Sequence, residues 1–198
     1  MTPPTASPAR GRPRSQDTDR RLLDAARDML AEGGYDALTF DALSRATGIP
    51  RSMIYRRWPT RTHLANMIAS GGDVTWPELL STRGLEAQIS ALVHEVLERY
   101  RRPDIGAAAI GVIAATQGNR DLQRELQTEA ETNARRALAA IVARGQEAGL
   151  ICPKANADIL FDMVIGTLLY RALFSLENVP EGYAEQVTSQ IIAGLAPA

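Results

Sequence analysis

The 198-residue sequence contains few of the residues that catalytic and metal sites usually require. Its one cysteine and two histidines form neither a CxxC nor an HExxH spacing and allow no intrachain disulfide. No stretch reads convincingly as a strand, so no glycine-rich phosphate loop of the strand-to-helix kind is present. We therefore expect no enzyme, no metal and no cofactor.

Long hydrophobic runs are also absent. The longest apolar run, from Ile159 to Leu176, contains Asp162 and Arg171 and is shorter than the about twenty residues that span a bilayer. No charged and then apolar leader precedes the first helical pattern. We predict a globular, cytoplasmic protein, for which an apolar content of 45% is ample.

Charge is divided unevenly along the chain, although the net charge is only −1. Residues 1–70 contain eleven arginines and seven acidic residues, a difference of +4. Residues 71–198 contain eleven basic and sixteen acidic residues, a difference of −5. A basic first part on an acidic remainder indicates a contact with nucleic acid at one end of the molecule.

Two short helical patterns follow each other closely in the basic part. Thr39 is a candidate N-cap for a helix that runs to Ala46, and Gly48 allows the chain to reverse after it. Pro50 suits the start of a second helix, which we expect to run to about Trp58 and to end at Pro59. This arrangement predicts a helix-turn-helix.

The second of these helices has one apolar side and one charged side. Ile54 and Trp58 are four residues apart and form an apolar face, whereas Ser52 and Arg56 lie nearly opposite. The stretch from Arg45 to Arg61 has five arginines and no acidic residue. A charged run usually marks only a solvated surface, but such a surface normally mixes signs. The pattern favours a recognition helix that enters the major groove of DNA.

Residues 1–15 include four prolines and no aliphatic residue larger than alanine after Met1, so we predict a disordered basic arm. Its Arg10, Arg12 and Arg14 belong to an RGRPR segment that resembles the AT-hook core, whose arginines lie in narrow minor grooves. The alternative is a basic tail that adds only non-specific attraction to phosphates. Both interpretations stay open.

The remaining periodicity predicts an all-α fold of about nine helices. The first helix runs from about Asp17 to Glu32, and a connecting helix runs from Thr60 to about Ser70. Later helices are expected over residues 85–101, 104–116 and 119–148, followed by two more. We predict a helix-turn-helix domain over residues 16–70 and a helical ligand-binding and dimerisation domain over residues 71–198.

The last two helices are unusually apolar. The first of them is apolar on nearly every side, so it should be buried on nearly every side. The pair either completes the core of one subunit or packs against a second copy. The interface candidates are Leu160, Val164, Leu168, Arg171, Phe174, Tyr183, Val187 and Ile191. Asp162 and Arg171 need partners on so apolar a helix, and we expect them to pair across the dimer.

A helical bundle can enclose a pocket between its helices, with a few polar groups that orient an apolar ligand. The candidate pocket residues are His94, Tyr100, Gln117, Phe161, Asp162, Met163 and Tyr170. Each of these residue types is found more often in a core or an interface than at a ligand.

The order of residues in the helix-turn-helix resembles the DNA-binding domain of the TetR family of bacterial transcriptional repressors. The matching positions are Thr39, Ala42-Leu43, Thr47-Gly48-Ile49, Tyr55, Trp58, Pro59, Arg61 and Leu64. The resemblance implies base contacts from Arg51, Ser52, Tyr55 and Arg57, with Thr39 and Arg61 on phosphates. The helical wheel adds Arg56, and Thr60 is a further candidate. Departures at Pro50, Ser52, Met53 and Trp58 lie mostly on the reading side, so we expect an operator of its own.

The resemblance also implies a homodimer, joined through the last two helices, that represses from a palindromic operator and is released by a small molecule. A small helical enzyme or ligand carrier with a vestigial helix-turn-helix is the alternative. An architectural DNA-binding protein that responds to no ligand is a third possibility.

Overall fold

The computed structural model describes residues 13–70, 84–126, 129–175 and 178–197. In these ranges the regular structure consists of ten α-helices and one π-helical turn, with no strand, so the all-α prediction is confirmed. The helices are α1 Pro13–Ala37, α2 Phe40–Thr47, α3 Arg51–Tyr55, α4 Arg61–Ser70, α5 Leu85–Arg101, α6 Pro103–Thr116, α7 Arg120–Glu125, α8 Glu129–Glu147, α9 Ala157–Leu169 and α10 Tyr183–Leu195. The π-helical turn Tyr170–Phe174 continues α9.

Helix α1 differs from its prediction at both ends. It begins at Pro13, a residue well suited to a first helical turn, so residues 13–15 are helical and not part of a disordered arm. The rest of the predicted arm, including Arg10 and Arg12, lies outside the described residues. At the other end α1 is kinked at Gly34, where φ is 69°. The helix therefore continues past Glu32, where it was predicted to end, and reaches Ala37.

Helix α3 is shorter than predicted: it ends at Tyr55 and not near Trp58. The Arg57 N–H donates to the Ile54 carbonyl at 2.9 Å, a tighter turn than that of an α-helix. Pro59 accounts for this ending, since a proline disfavours the α conformation at the residue before it. Trp58 nevertheless reaches the core, and its side chain is buried.

The first hydrophobic core joins the helix-turn-helix to a helix of the body. Side chains of α1 and α3, such as Leu22, Leu30 and Ile54, pack in the same cluster as Ile105 and Ala108 of α6. Helix α6 also contacts α4. Helix α6 therefore joins the helix-turn-helix unit to the body through its contacts with α1 and α4.

The second core is built from α5, α8, α9 and α10. The single helix predicted for residues 119–148 is instead divided into α7 and α8. The division follows Glu125, where the Leu126 side chain turns into the interior and the Leu126 carbonyl accepts a hydrogen bond from Asn66 Nδ2 at 2.8 Å. This tertiary bond uses an acceptor that a continuous helix would have needed.

Within one subunit helix α9 is buried on one side only, so its burial on nearly every side stays a prediction that depends on a second copy. It packs through one side on α5 and α8, and four large apolar side chains on its outer side are 56–65% exposed. We call these residues the outer stripe: Ile159, Met163, Tyr170 and Phe174. No helix within the described ranges is long and apolar enough to cross a membrane.

Candidate DNA-binding surface and ligand cavity

The turn between α2 and α3 is held by a closed set of hydrogen bonds. Gly48 adopts a φ of 68°, and its N–H donates to the Ser44 carbonyl at 2.9 Å. The Ser44 hydroxyl donates to the Ile49 carbonyl at 2.8 Å, and the Ile49 N–H donates to the Thr47 hydroxyl at 3.3 Å. These bonds fix the direction in which α3 leaves the turn.

Helix α3 presents a continuous polar surface to solvent. Its Ile54 side chain is buried against α1, whereas four of the predicted DNA-contact residues are exposed. We call them the recognition face: Arg51, Ser52, Tyr55 and Arg56. The Tyr55 ring is steadied by an edge contact with Phe40, with 4.9 Å between ring centroids.

Arg51 is placed beside the recognition face by Asp41 of α2. Their ion pair is 2.5 Å long, and both side chains are more than half exposed. A pair as exposed as this contributes little stability in water. Arg51 is therefore oriented without being locked, and it can exchange Asp41 for a base edge or a phosphate.

Arg57 behaves differently from its exposed neighbour Arg56. The Arg57 side chain is only 20% exposed, its Nε is ion-paired with Asp19 of α1, and its Nη1 donates to the Met53 carbonyl at 3.0 Å. The guanidinium is thus directed at the scaffold helix. This geometry suits a positioning residue better than the base contact that the sequence predicts.

The phosphate-contact candidates lie at the starts of α2 and α4. The Thr39 hydroxyl caps α2 by accepting from the Ala42 N–H at 3.1 Å. The Thr60 hydroxyl is 2.8 Å from His63 Nδ1. The Arg61 guanidinium lies over the Tyr35 ring, 4.4 Å from its centroid. Helix starts carry free N–H groups and positive dipole ends, which favour phosphate oxygens.

A cavity of about 640 Å³ lies in the body, bounded by all the helices from α4 to α9. Of the predicted pocket residues, Tyr100, Phe161 and Asp162 line this cavity. The other four lie elsewhere. His94 is 3.2 Å from Glu185 of α10, Gln117 is exposed in the turn after α6, and Met163 and Tyr170 belong to the outer stripe. None of these four residues lines the cavity, and for Met163 and Tyr170 the reason is that periodicity could not tell which side of the helix faces inward.

The sequence reasoning missed the arginines of this cavity. Arg135 forms ion pairs with Glu131 at 3.1 Å and Asp162 at 2.8 Å, and it stacks on Phe161 at 4.2 Å. Burial alone would lower the pKa of Arg135, but its bonds to Asp162 and Glu131 outweigh burial and raise it. Asp162 therefore has a partner in its own subunit.

Arg171, the other charge on the apolar helix, also has partners in its own chain. It donates to Ser175 Oγ at 3.0 Å and to the Asn178 carbonyl at 2.6 Å. The expected pairing of Asp162 with Arg171 across a dimer is therefore not what the structure contains.

Arg99 lines the cavity from α5 and touches the end of α4. Its Nε and Nη2 donate to the Ala69 carbonyl at 3.3 and 3.1 Å. Burial lowers the pKa of Arg99, and burial raises the pKa of the neighbouring Tyr100. One signal could have revealed Arg99, because it lies three residues after Val96 at the edge of the apolar face of α5.

Two family models match this chain. Residues 22–68 match the model of the bacterial regulatory proteins of the TetR family, and residues 81–191 match the tetracyclin repressor-like C-terminal domain. The chain belongs to the TetR family. It is accordingly a DNA-binding transcriptional regulator rather than an enzyme.

Individual relatives agree with this assignment. The uncharacterized HTH-type transcriptional regulator YdeS of Bacillus subtilis strain 168 is 24% identical over 188 residues, which cover 94% of this chain and 93% of that protein. The HTH-type transcriptional regulator AqdR of Rhodococcus erythropolis is 25% identical over 201 residues, with coverage of 98% and 93%. The fatty acid degradation regulator FadR from Bacillus halodurans has the same fold, with a TM-score of 0.71, 16% identity, and coverage of 89% and 99%.

For this TetR-family chain, the interface candidates differ in their burial. Leu160, Val164 and Leu168 are buried inside their own subunit, so they complete its core and cannot form the contact surface that was predicted. The α10 candidates Tyr183, Val187 and Ile191 are partly buried against the same core. Phe174 is exposed and belongs to the outer stripe. On α9 the stripe consists of Ile159 and Met163, which directly precede the predicted Leu160 and Val164.

Proposed function

We propose that this TetR-family protein is a repressor that binds a palindromic operator as a homodimer and is released by a small-molecule ligand. The observation that carries the proposal is the position of the cavity. Its wall includes Asn66, Ala69 and Ser70 of α4, the helix that directly follows the helix-turn-helix. A ligand that fills the cavity therefore contacts the helix that orients α3.

The recognition face would supply the base contacts of each subunit. Its arginines, serine and tyrosine offer hydrogen-bond donors and acceptors to base edges in the major groove. The backbone phosphates would be bound by Thr39, Thr60 and Arg61. Arg57 would hold α3 against α1 through its ion pair with Asp19. Arg10 and Arg12 of the arm, with Arg14 in the first turn of α1, would add a minor-groove contact or non-specific attraction.

The outer stripe would join two subunits. Four large apolar side chains that follow one side of α9 and its π-helical continuation form a surface that a monomer has little reason to expose. Tyr170 and Phe174 are stacked there, with 6.4 Å between ring centroids. Packing this surface on its symmetry mate would place two α3 helices so that they enter successive major grooves about 34–36 Å apart.

Helix α4 is tied to the cavity by three side-chain contacts. Asn66 donates to the Leu126 carbonyl, His63 Nε2 is 3.1 Å from Glu125, and Arg99 donates to the Ala69 carbonyl. Asn66, Ala69, Arg99 and Leu126 all line the cavity. A ligand that rearranges them would favour a dimer with the wrong separation of its α3 helices. Its effect is limited to the difference between its affinities for the two arrangements.

Selection from random duplex DNA tests the operator proposal. We expect the full-length protein to enrich a site with two-fold symmetry. A vestigial helix-turn-helix on an enzyme or carrier would enrich nothing. The selected operator then serves in a metabolite screen scored by loss of binding, because an architectural DNA-binding protein would be released by no compound.

Two substitutions separate base reading from backbone contact. Arg51→Ala should cost about 1–3 kcal/mol of binding free energy and weaken the sequence preference at one position of each half-site. Arg61→Ala should weaken binding to all sequences alike and lower the salt slope by about one. An unchanged preference in the Arg51→Ala protein would show that Arg51 does not read a base.

A further inference from the structure

The wall of the cavity carries more positive than negative charge. Four arginines line it, Arg99, Arg120, Arg124 and Arg135, whereas its carboxylates are Glu131 and Asp162. Arg135 forms ion pairs with both of these carboxylates. The wall therefore carries a net charge of +2, with Arg135 paired to both carboxylates and three further arginines beside it.

These three arginines differ in their surroundings. Arg124 is exposed and pairs with Asp121, which lies outside the cavity wall, and Arg120 is exposed to solvent. Arg99 is half-buried, and across the described ranges no carboxylate lies within ion-pair distance of it, although Glu95 one turn earlier on α5 attracts it at longer range. Two of its five donors converge on one neutral acceptor, the Ala69 carbonyl. A half-buried guanidinium with a single neutral acceptor is a strong site for a carboxylate, which can accept two parallel hydrogen bonds.

Tyr100 adds a second donor next to Arg99. It lines the cavity, and burial raises the pKa of its hydroxyl, so the group stays protonated at neutral pH. Within the part of the chain that the structure describes, no protein group forms a hydrogen bond with this hydroxyl. It can therefore donate to a bound anion.

The rest of the wall is largely apolar. Val96, Val112, Ile113, Leu126, Phe161 and Ile165 supply most of this surface. The volume of about 640 Å³ is within the usual range of small-molecule pockets. A ligand that suits this wall has an apolar body and one anionic group.

We propose that the cavity binds an organic carboxylate with an apolar body, and that Arg99 and Tyr100 hold its carboxylate. The proposal deepens the proposed function, because it assumes that the cavity is the effector site. Cationic ligands are disfavoured by the excess of guanidinium groups. Neutral ligands leave the partly desolvated Arg99 without an anionic partner.

The same contact explains how binding reaches α4. The carboxylate competes for the two Arg99 donors that otherwise bond the Ala69 carbonyl, and a charge-assisted bond is about twice as strong as a neutral one. Ala69 lies in the last turn of α4, where carbonyls lack partners within the helix. Binding of the anion therefore releases the end of α4 from α5.

Three compounds with the same apolar body test the choice of head group: 4-phenylbutyrate, 4-phenylbutanol and 4-phenylbutylamine. Their dissociation constants for the full-length protein are measured by isothermal titration calorimetry. We expect the carboxylate to bind at least about ten-fold more tightly than the alcohol, with the amine weakest. Arg99→Gln should reduce the ratio between carboxylate and alcohol to about one, and Arg99→Lys should leave an intermediate ratio.

The ratio of the affinities for carboxylate and alcohol shows whether Arg99 binds the carboxylate or only supports the cavity, because a loosened cavity would lower the affinity for all three compounds together. Arg144→Gln is the matched control, since Arg144 is exposed on α8 outside the cavity, and it should keep the wild-type ratio. If Arg99→Gln does not fold, the ratio of the Arg99→Lys protein decides.

The proposal is overturned if the wild-type protein binds none of the three compounds, if it prefers the alcohol or the amine, or if both Arg99 variants keep the full carboxylate preference. Operator selection, done without any compound, separates this failure from that of the proposed function. A symmetric operator with no head-group preference would remove only the carboxylate proposal. Failure to enrich an operator would remove the proposed function, whatever the head-group result.

Discussion

Helices α3 and α9 are packed alike and expose opposite chemistry. Each buries one apolar side, through Ile54 in α3 and Leu168 in α9. The uncovered side of α3 is the recognition face, with two arginines, a serine and a tyrosine. The uncovered side of α9 is the outer stripe, with four large apolar residues. The covered sides build the core, and the uncovered sides differ in chemistry: the polar side of α3 suits a polyanion, and the apolar side of α9 suits another apolar surface.

Helix α6 packs against α1 and α4 of the helix-turn-helix unit and against the π-helical turn that carries part of the outer stripe. Its Asp104 carboxylate binds Arg27 of α1, and its Gly111 lies directly against the Tyr35 ring near the end of α1. Tyr35 in turn donates to or accepts from Thr62 of α4 at 2.9 Å. Substitutions on α9 and α3 test the two exposed surfaces, and substitutions on α6 test the packing of that helix on α1.

Met163→Glu, at the centre of the outer stripe, should have the largest effect. A carboxylate there would be desolvated in a dimer and would face its own symmetry mate, so we expect a monomer. Operator affinity should fall by at least about 100-fold, because one subunit contacts only one half-site. Sedimentation velocity gives the mass, and circular dichroism checks that the helices remain folded.

Leu150→Glu is the control for this change. Leu150 is about as exposed as Met163 but lies in the turn after α8, away from the outer stripe. We expect this protein to keep the wild-type mass and operator affinity. A Met163→Glu protein that stayed dimeric would exclude the outer stripe as the interface.

Asp104→Asn should lower the free energy of unfolding by about 2–3 kcal/mol. The Asp104 side chain is only 10% exposed, and it accepts hydrogen bonds from Arg27 at 2.9 Å and from Arg102 at 3.0 Å. The substitution leaves a half-buried Arg27 without its ionic partner. Urea unfolding at neutral pH measures the change. Asp121→Asn removes an ion pair that is almost fully exposed, and it should change stability by less than about 0.5 kcal/mol.

The contribution of Asp104 should also depend on pH. Burial alone would raise the pKa of Asp104, but hydrogen bonds from Arg102 and Arg27 outweigh burial and hold the pKa below its ordinary value of 3.8. The stabilisation is then complete above pH 3.8 and is lost as the pH falls through the lowered pKa of the folded state. The difference in stability between wild type and Asp104→Asn should shrink between about pH 5 and pH 2. A difference that grew on acidification would contradict this pairing.

Gly111→Ala should lower the free energy of unfolding by about 1–2 kcal/mol. A Cβ at this position would lie 2.0 Å from Cδ2 of Tyr35, whose ring is held by the Thr62 hydroxyl and the Arg61 guanidinium. The clash should outweigh the gain of about 1 kcal/mol that alanine normally brings inside a helix. Gly194→Ala in α10 is the control, because a Cβ there meets open space and should be neutral or mildly stabilising. Equal stability of the two variants would mean that α1 and α6 are not tightly packed at Tyr35.

Local signals in the sequence sufficed for elements whose ends are marked by glycine or proline. The Gly48 turn, α4 after Pro59 and α5 before Pro103 were predicted within a residue or two. The division between α7 and α8 was missed, and at the end of α7 the Leu126 carbonyl accepts a hydrogen bond from Asn66, sixty residues away in the chain. No local pattern records which carbonyl a distant side chain will bind.

The faces of α9 show a second limit. Nearly every position of this helix is apolar, so periodicity alone could not decide which side faces the core. The choice depends on how α5, α8 and α10 are arranged around it. Phe161 and Asp162 line the cavity, whereas the neighbouring Met163 does not, and the sequence alone could not separate them. The position of Arg99 at the edge of the apolar side of α5 was visible in the sequence, but its role depends on Ala69 and the cavity, which only the folded chain brings together.

Substitutions of Arg56 and Arg57 test whether exposure on α3 distinguishes a DNA contact from a structural residue, and they have the smallest expected effects. The two residues are adjacent and identical in type, but Arg56 is on the recognition face and Arg57 is held by Asp19 and by the Met53 carbonyl. Arg56→Ala should reduce operator affinity by about ten-fold and leave the midpoint of thermal unfolding unchanged, because it removes only an exposed donor.

Arg57→Ala should instead lower the free energy of unfolding by about 1 kcal/mol, since it breaks a half-buried pair between α1 and the end of α3. The Asp19→Asn protein should lose a similar amount, and the double variant should lose little more, because both changes remove the same interaction. Thermal melts and operator titrations of the four proteins measure both quantities. If Arg57→Ala weakened operator binding while stability stayed unchanged, Arg57 would be a DNA contact like Arg56. The recognition face would then include Arg57 as a fifth residue.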